Sequence, residues 1–127
     1  MNEQALRQYL SSIQQVLKTG QATEHSYRSA LQDLLKTLVP GITALNEPKR
    51  IACGAPDYSI TKQRPHGALT IGYIEAKDVG VSLDAVEKSD QLKRYQGSLS
   101  NLVLTDYVEF HWYVNGERRG VARLAKQ

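Results

Sequence analysis

The sequence predicts one α/β domain, and three observations predict it. Apolar residues recur at helical spacing through the first forty positions, the period changes to alternation near Ile42, and the tail is strand-rich with an Asn-Gly turn signal. Leu6, Leu10, Ile13 and Leu17 mark the first helix, with Gly20 as its stop after Lys18. Thr23 is the expected N-cap of a second helix, and Glu24 falls near the positive end of its dipole. Tyr27, Leu31, Leu34, Leu35 and Leu38 stripe that helix until Pro40-Gly41 ends it. Beyond Ile42, Pro48, Gly54, Pro56, Pro65 and Gly67 cut the chain into short extended pieces. Tyr58 to Thr61 reads as one strand. Leu69 to Lys77 reads as a longer one, with Leu69, Ile71, Tyr73, Glu75 and Lys77 on one face.

Gly80 to Ser98 returns to helical composition, with Ser89 placed to break it and cap a second piece, and with Leu92, Tyr95 and Leu99 as the buried stripe. Leu102 to Leu104 suits a central strand. Val108, Phe110, Trp112 and Val114 alternate with Glu109, His111 and Tyr113 up to the Asn115-Gly116 hairpin signal. The order is therefore roughly ααβββαβββ, with a helical part at 1–40 and a sheet core at 42–127 containing a helix near 89–99. No internal repeat or long linker divides it, so residues 1–127 read as one domain.

The 127 residues suit one core, and fractions of 41% apolar and 23% charged residues are ordinary for a soluble globular chain. No apolar run reaches the length of a membrane span, and the first residues lack the plan of a signal peptide. One cysteine, Cys53, makes neither an internal disulfide nor a multi-cysteine zinc site, so a cytoplasmic setting is expected. A net charge of +3 leans towards an anionic partner. The basic pairs at Lys49-Arg50, Lys62 and Arg64, Lys93-Arg94 and Arg118-Arg119 read as solvated surface unless they flank a catalytic group.

The informative residues are Pro56-Asp57 and, after a hairpin-length gap, Glu75-Ala76-Lys77. Phosphodiester hydrolysis needs a metal ion to neutralise charge on the phosphoryl oxygens and to acidify water. Magnesium takes a few carboxylates together with waters and substrate phosphate. Acidic side chains at two adjacent strand ends meet that need, and a lysine two residues beyond one of them shares its strand face, where it can stabilise transition-state charge. A lone Glu-x-Lys reads as a same-face surface ion pair, with Asp57 as a turn residue after Pro56. Its conjunction with Pro-Asp at strand-turn-strand spacing, following the apolar run Leu69 to Ile74, favours the site.

This pattern resembles the PD-(D/E)xK nuclease superfamily, in particular the Mrr-like nuclease domain that opens type ISP restriction-modification enzymes. The matching stretches are Thr23 to Leu31, Gly54 to Tyr58, Gly72 to Asp78, Gln91 to Tyr95 and Leu104 to Phe110, in order over most of the chain. The resemblance implies a restriction-endonuclease-like core, a mixed central β-sheet flanked by helices. It implies that Asp57 and Glu75 bind the metal, that the Ala76 carbonyl completes its shell, and that Lys77 is the catalytic lysine. Glu24 matches an acidic residue that reaches the metal directly or through water; its alternative is a plain helix-terminal charge. Gln91 and Tyr95 match a Gln-x-x-x-Tyr motif that contacts substrate or supports Lys77, with a core-edge tyrosine as the other reading of Tyr95. His25 adjoins Glu24 but points about 100° away on a helix. His66 and His111 read as loop and strand surface residues, and Asp78 as structural.

The resulting expectation is a DNA endonuclease domain using Mg2+, with Mn2+ as a substitute. Lys62, Arg64, Lys93 and Arg94 would hold the DNA backbone without reading sequence. No phosphate loop, methyltransferase motif or base-reading element is present. Specificity would come from elsewhere, through motor and recognition domains on the same or another chain, and cutting both strands would take two copies, as in a homodimer, or two binding events. The alternative is a catalytically inactive nucleic-acid-binding or assembly module that keeps the fold. No membrane role is expected.

Overall fold

A computed structural model describes residues 3–18, 24–46 and 51–124, with the backbone alone at 24–26. The expected stop at Gly20, the cap at Thr23, and Pro48 and Lys49-Arg50 lie outside the described residues, as do the side chains of Glu24 and His25.

Six strands form a single mixed sheet in sequence order: β1 (Ile42–Asn46), β2 (Tyr58–Arg64), β3 (Gly67–Ala76), β4 (Asn101–Thr105), β5 (Glu109–Val114) and β6 (Glu117–Arg123). Every neighbouring pair is antiparallel except β3 and β4, which run parallel. A parallel pair requires a crossover, and here two helices supply it, α3 (Leu83–Glu87) and α4 (Asp90–Ser98). The helix expected near 89–99 is α4, and the break expected at Ser89 separates it from α3, so the order is ααβββααβββ. The Ser89 side chain accepts from the Leu92 N–H, capping α4, and Ser82 does the same for α3 through the Ala85 N–H.

The helices lie on opposite faces of the sheet. α1 (Glu3–Lys18) and α2 (Glu24–Leu38) bury Tyr9, Ile13, Tyr27, Leu31 and Leu34 against Ala44, Tyr58, Ile74, Ala76 and Tyr107. α3 and α4 bury Leu83, Leu92, Tyr95 and Leu99 against Leu102, Leu104 and Tyr113. The two faces alternate along β3 and β4, as a pleated strand dictates: Ile74 and Ala76 face α1 and α2, and Leu102 and Leu104 face α4. This is the expected mixed sheet flanked by helices. Among the described residues no helix is long and apolar enough to cross a membrane.

Three local expectations need correction. Tyr9 joins Ile13 in the buried stripe of α1, whereas Leu17 is 45% exposed and Val16 packs against the core in the last turn instead. The β2–β3 register shifts so that Ile60 pairs with Gly72 and Thr61 with Thr70, which leaves Ile71 as the extra residue. A bulge of this kind interrupts the period of two. Leu69 and Ile71 are accordingly exposed while Glu75 is buried, so these residues do not form one continuous face. On β5 the buried side chains are His111 and Tyr113, and Trp112 is exposed on the other face. His111 is not a surface residue: α3 covers the face it occupies.

The Asn115-Gly116 turn forms as expected, with both residues at positive φ, 51° and 83°. A Cβ on Gly116 would also stand 3.0 Å from the Gln96 carbonyl oxygen. Gly116→Ala is therefore expected to lower stability by about 1 kcal/mol or more, read as a shift of the urea midpoint at unchanged slope.

Candidate active site

The site forms where β2 begins and β3 ends. Tyr58 pairs with Ile74, so the antiparallel register carries Asp57, the residue before β2, opposite Glu75. Two hydrogen bonds fix that juxtaposition. The Asp57 N–H donates to Glu75 Oε1 at 3.2 Å, and the Ala76 N–H donates to Asp57 Oδ2 at 2.8 Å. Each carboxylate is held by the backbone of the other's strand. The bulge at Ile71 lies upstream in β3, so the pairing next to the site is regular.

Lys77 follows directly on β3, its N–H bonded to the Thr105 carbonyl at 2.8 Å, which extends the parallel ladder by one step. Its Nζ lies 3.4 Å from Glu75 Oε2 and 3.4 Å from Gln91 Oε1. Gln91 in turn donates from Nε2 to the Tyr95 hydroxyl at 3.4 Å. Gln91 and Tyr95 stand one turn apart on α4 and share a helix face. Tyr95 is 1% exposed, and its hydroxyl also takes a hydrogen bond from the Ala55 backbone. It is therefore both a buried core tyrosine and a support for Gln91. Its hydroxyl titrates above the usual range, through burial first and the Glu75 charge second. Gly54, at φ 139°, lets the loop approach Tyr95 closely: a Cβ there would stand 3.0 Å from the tyrosine oxygen.

Glu75 is the most perturbed group of the site. It is 4% exposed, and burial together with the charge of Asp57 pushes its pKa from 4.5 up to about 7, against the opposing pull of Lys77. Two carboxylates brought together out of water repel each other, and one ammonium ion does not offset that. A divalent cation would. The donor set also fits one: two carboxylates and the neighbouring Ala76 carbonyl are the oxygen ligands that Mg2+ or Mn2+ takes together with waters and a phosphate oxygen.

Two further residues belong to this constellation and were not singled out from the sequence. Arg28 of α2 brings Nη2 within 3.8 Å of Asp57 Oδ1 and donates from Nη1 to Asn46 Oδ1 at 3.1 Å. Asn46, at the end of β1, donates to the Asp57 carbonyl at 3.2 Å. The available signal was helical spacing: Arg28 stands one turn after Glu24, inside the matching stretch from Thr23 to Leu31. The backbone of Glu24 opens α2, so it lies on the helix face whose next turn reaches Asp57.

The basic residues distribute unevenly. Lys62 and Arg64 are exposed at the far end of β2, roughly 16 and 23 Å along the strand from Asp57. Lys93 and Arg94 are exposed on α4, and Arg94 Nε reaches the Cys53 carbonyl at 3.5 Å, beside the loop that carries Gly54. The structure thus gathers Asp57, Glu75, Lys77, Gln91 and Tyr95 with Arg28 and Asn46, sets Arg94 at its border, and leaves Lys62 and Arg64 apart. His66 is exposed in the β2–β3 turn, and Asp78 is exposed past Lys77.

No family model matches the sequence, and no curated protein does. Among solved structures the fold is similar to part of a protein described as a cryoEM structure of a DrdV–DNA complex, with a TM-score of 0.75 and 22% identity. The match covers 97% of this chain and 12% of that chain, so the fold seen here corresponds to a small part of a much longer protein.

Proposed function

We propose that this protein is a metal-dependent DNA endonuclease domain that hydrolyses phosphodiester bonds and relies on other segments or chains to choose where it cuts. The observation that carries this reading is the cross-bonded pair Asp57 and Glu75 with the Lys77 ammonium group 3.4 Å from Glu75. The resemblance of the same residues to the PD-(D/E)xK pattern supports it. The likeness in fold to a protein described in complex with DNA supports DNA as the partner, as does the net charge of +3.

Asp57, Glu75 and the Ala76 carbonyl would hold Mg2+, with Mn2+ as a substitute and Glu24 as a further contributor from α2. The ion supplies charge neutralisation at the phosphoryl oxygens and a more acidic water. The remaining chemistry belongs to the chain. Lys77 presents a proton donor on the side of Glu75 that faces α4, where it stabilises charge growing on the phosphate or orients the attacking water. Gln91 positions that ammonium group, and Tyr95, fixed by the core, positions Gln91. Arg28 and Asn46 hold Asp57 from the other side. Arg94 is placed to contact the sugar-phosphate backbone, a contact that carries no sequence information.

The test is nicking of supercoiled plasmid in Mg2+. Wild type is expected to nick and to stop when the metal is chelated, whereas Asp57→Ala is expected to be inactive. Equal rates in the two proteins would overturn the reading. DNA binding that survives chelation with no cleavage under any metal would identify a binding module instead.

A further inference from the structure

A second group of metal-ligating side chains meets between α3 and β5, away from the acidic pair. Asp84 and Glu87 stand three residues apart on α3 and share one face, and His111 lies beneath them on β5. One ligand atom from each lies within 4.8 Å of the other two. The group runs from solvent to core: Asp84 is exposed, Glu87 half-buried and His111 2% exposed.

The histidine distinguishes this group from an ordinary acidic patch. His111 Nε2 lies 2.6 Å from Glu109 Oε2. Arg123 Nε donates to Glu109 Oε1 at 2.8 Å, so this carboxylate is paired with a guanidinium and meets the ring as an acceptor. Nε2 therefore carries the ring proton. The other nitrogen, Nδ1, is buried without a hydrogen-bond partner and faces Glu87 Oε2 across 3.7 Å. That gap is too long for a hydrogen bond. In the neutral ring it sets a lone pair against a carboxylate, which costs free energy unless a cation lies between them. A ring whose far N–H is given to a carboxylate, with its free lone pair aimed among further carboxylates, is how metal-ligating histidines are oriented.

We propose that Asp84, Glu87 and His111 bind a transition-metal dication of the zinc class, with His111 ligating through Nδ1 and Glu109 orienting the ring. One imidazole nitrogen and two carboxylates suit Zn2+ or Mn2+ better than Mg2+, which favours oxygen alone. Two groups share these carboxylates. Both act on Glu87 Oε2, the oxygen that faces His111: the Tyr113 hydroxyl donates to it at 2.9 Å, and Arg118 Nη1 lies 3.4 Å from it and 3.7 Å from Asp84 Oδ1. Glu87 Oε1 takes neither of these contacts and would be the ligand oxygen, and Arg118, with its side chain 46% exposed, can turn to solvent. A bound ion ties α3 to β5, and α3 leads directly into α4, which carries Gln91 and Tyr95.

The register keeps this site separate from the acidic pair. Glu75 pairs with Leu104, and Leu104 pairs with His111, so the fully buried Leu104 stands between two groups roughly 10 Å apart across three strands. Titration calorimetry with Zn2+ as the titrant, in a background of excess Mg2+ to compete at the acidic pair, tests the proposal. Wild type is expected to bind a single equivalent. Asp84→Asn and His111→Gln are each expected to weaken binding at least ~100-fold, and Glu109→Gln about 10–100-fold. Asp57→Ala is expected to bind zinc as wild type does. Because Asp84 is exposed, Asp84→Asn decides the matter even if the His111 variant fails to fold. No zinc binding, undiminished binding by Asp84→Asn, or binding lost only in Asp57→Ala would each overturn the proposal.

Discussion

Replacing Lys77 with alanine is expected to slow plasmid nicking in Mg2+ about 10²–10³-fold, the loss typical when one preorganised donor is removed from developing transition-state charge. The side chain is fixed before any substrate arrives, because Glu75 Oε2 and Gln91 Oε1 both stand 3.4 Å from Nζ. Little reorganisation is then needed at the moment of reaction. DNA affinity should change far less than rate, since one lysine is a small part of a backbone-binding surface. Single-turnover nicking, measured beside an equilibrium binding assay, separates the two. A Lys77→Ala protein with wild-type single-turnover rate would remove this residue from the chemistry. Gln91→Ala should show a smaller loss in the same direction, because it displaces the ammonium group without deleting it.

The second large effect concerns stability. The Glu75 carboxyl titrates at about 7 in the folded protein and near 4.5 in the unfolded chain. A folded pKa above the unfolded one means that the protonated form favours folding. The contribution is fully present below about pH 4.5 and is lost as pH rises through 7. Without metal, ionising this group at pH 8 should lower stability by up to about 3 kcal/mol. Glu75→Gln keeps the shape, retains an acceptor for the Asp57 N–H and cannot ionise. It should therefore be the more stable protein at pH 8 and lose most of its advantage at pH 4.5. Mg2+ should raise the stability of wild type at pH 8 and leave Glu75→Gln nearly unmoved, because a ligand stabilises only the state it binds. Urea midpoints at the two pH values, with and without Mg2+, test this. Identical pH slopes in both proteins would remove Glu75 from the linkage.

Much of the fold was legible because its signals are local. The stripe from Tyr27 to Leu38, the Ser89 cap and the Asn115-Gly116 turn depend on neighbours a few residues away, and each formed as the sequence implied. The bulge at Ile71 was not legible. An extra residue in β3 is specified by how β2 pairs with it, and period-two reasoning assumes an unbroken pleat. His111 was misplaced for a related reason. Alternation divides β5 into two faces, but which face α3 covers is decided by the crossover and not by β5 itself.

The candidate site divides along the same line. Glu75 and Lys77 are two residues apart, so their shared face was written in the sequence, and Gln91 and Tyr95 are likewise one helical turn apart. The sequence by itself determined that two such pairs exist and that Asp57 stands before a strand. Only the tertiary structure decided that they meet. The β2–β3 register sets Asp57 against Glu75, the parallel crossover lays α4 over β3, and the α2–β1 packing brings Arg28 and Asn46 to the far side of Asp57. Spacing along a chain fixes direction within one element. Convergence between elements depends on burial and pairing energies summed over the whole sheet, which no short stretch contains.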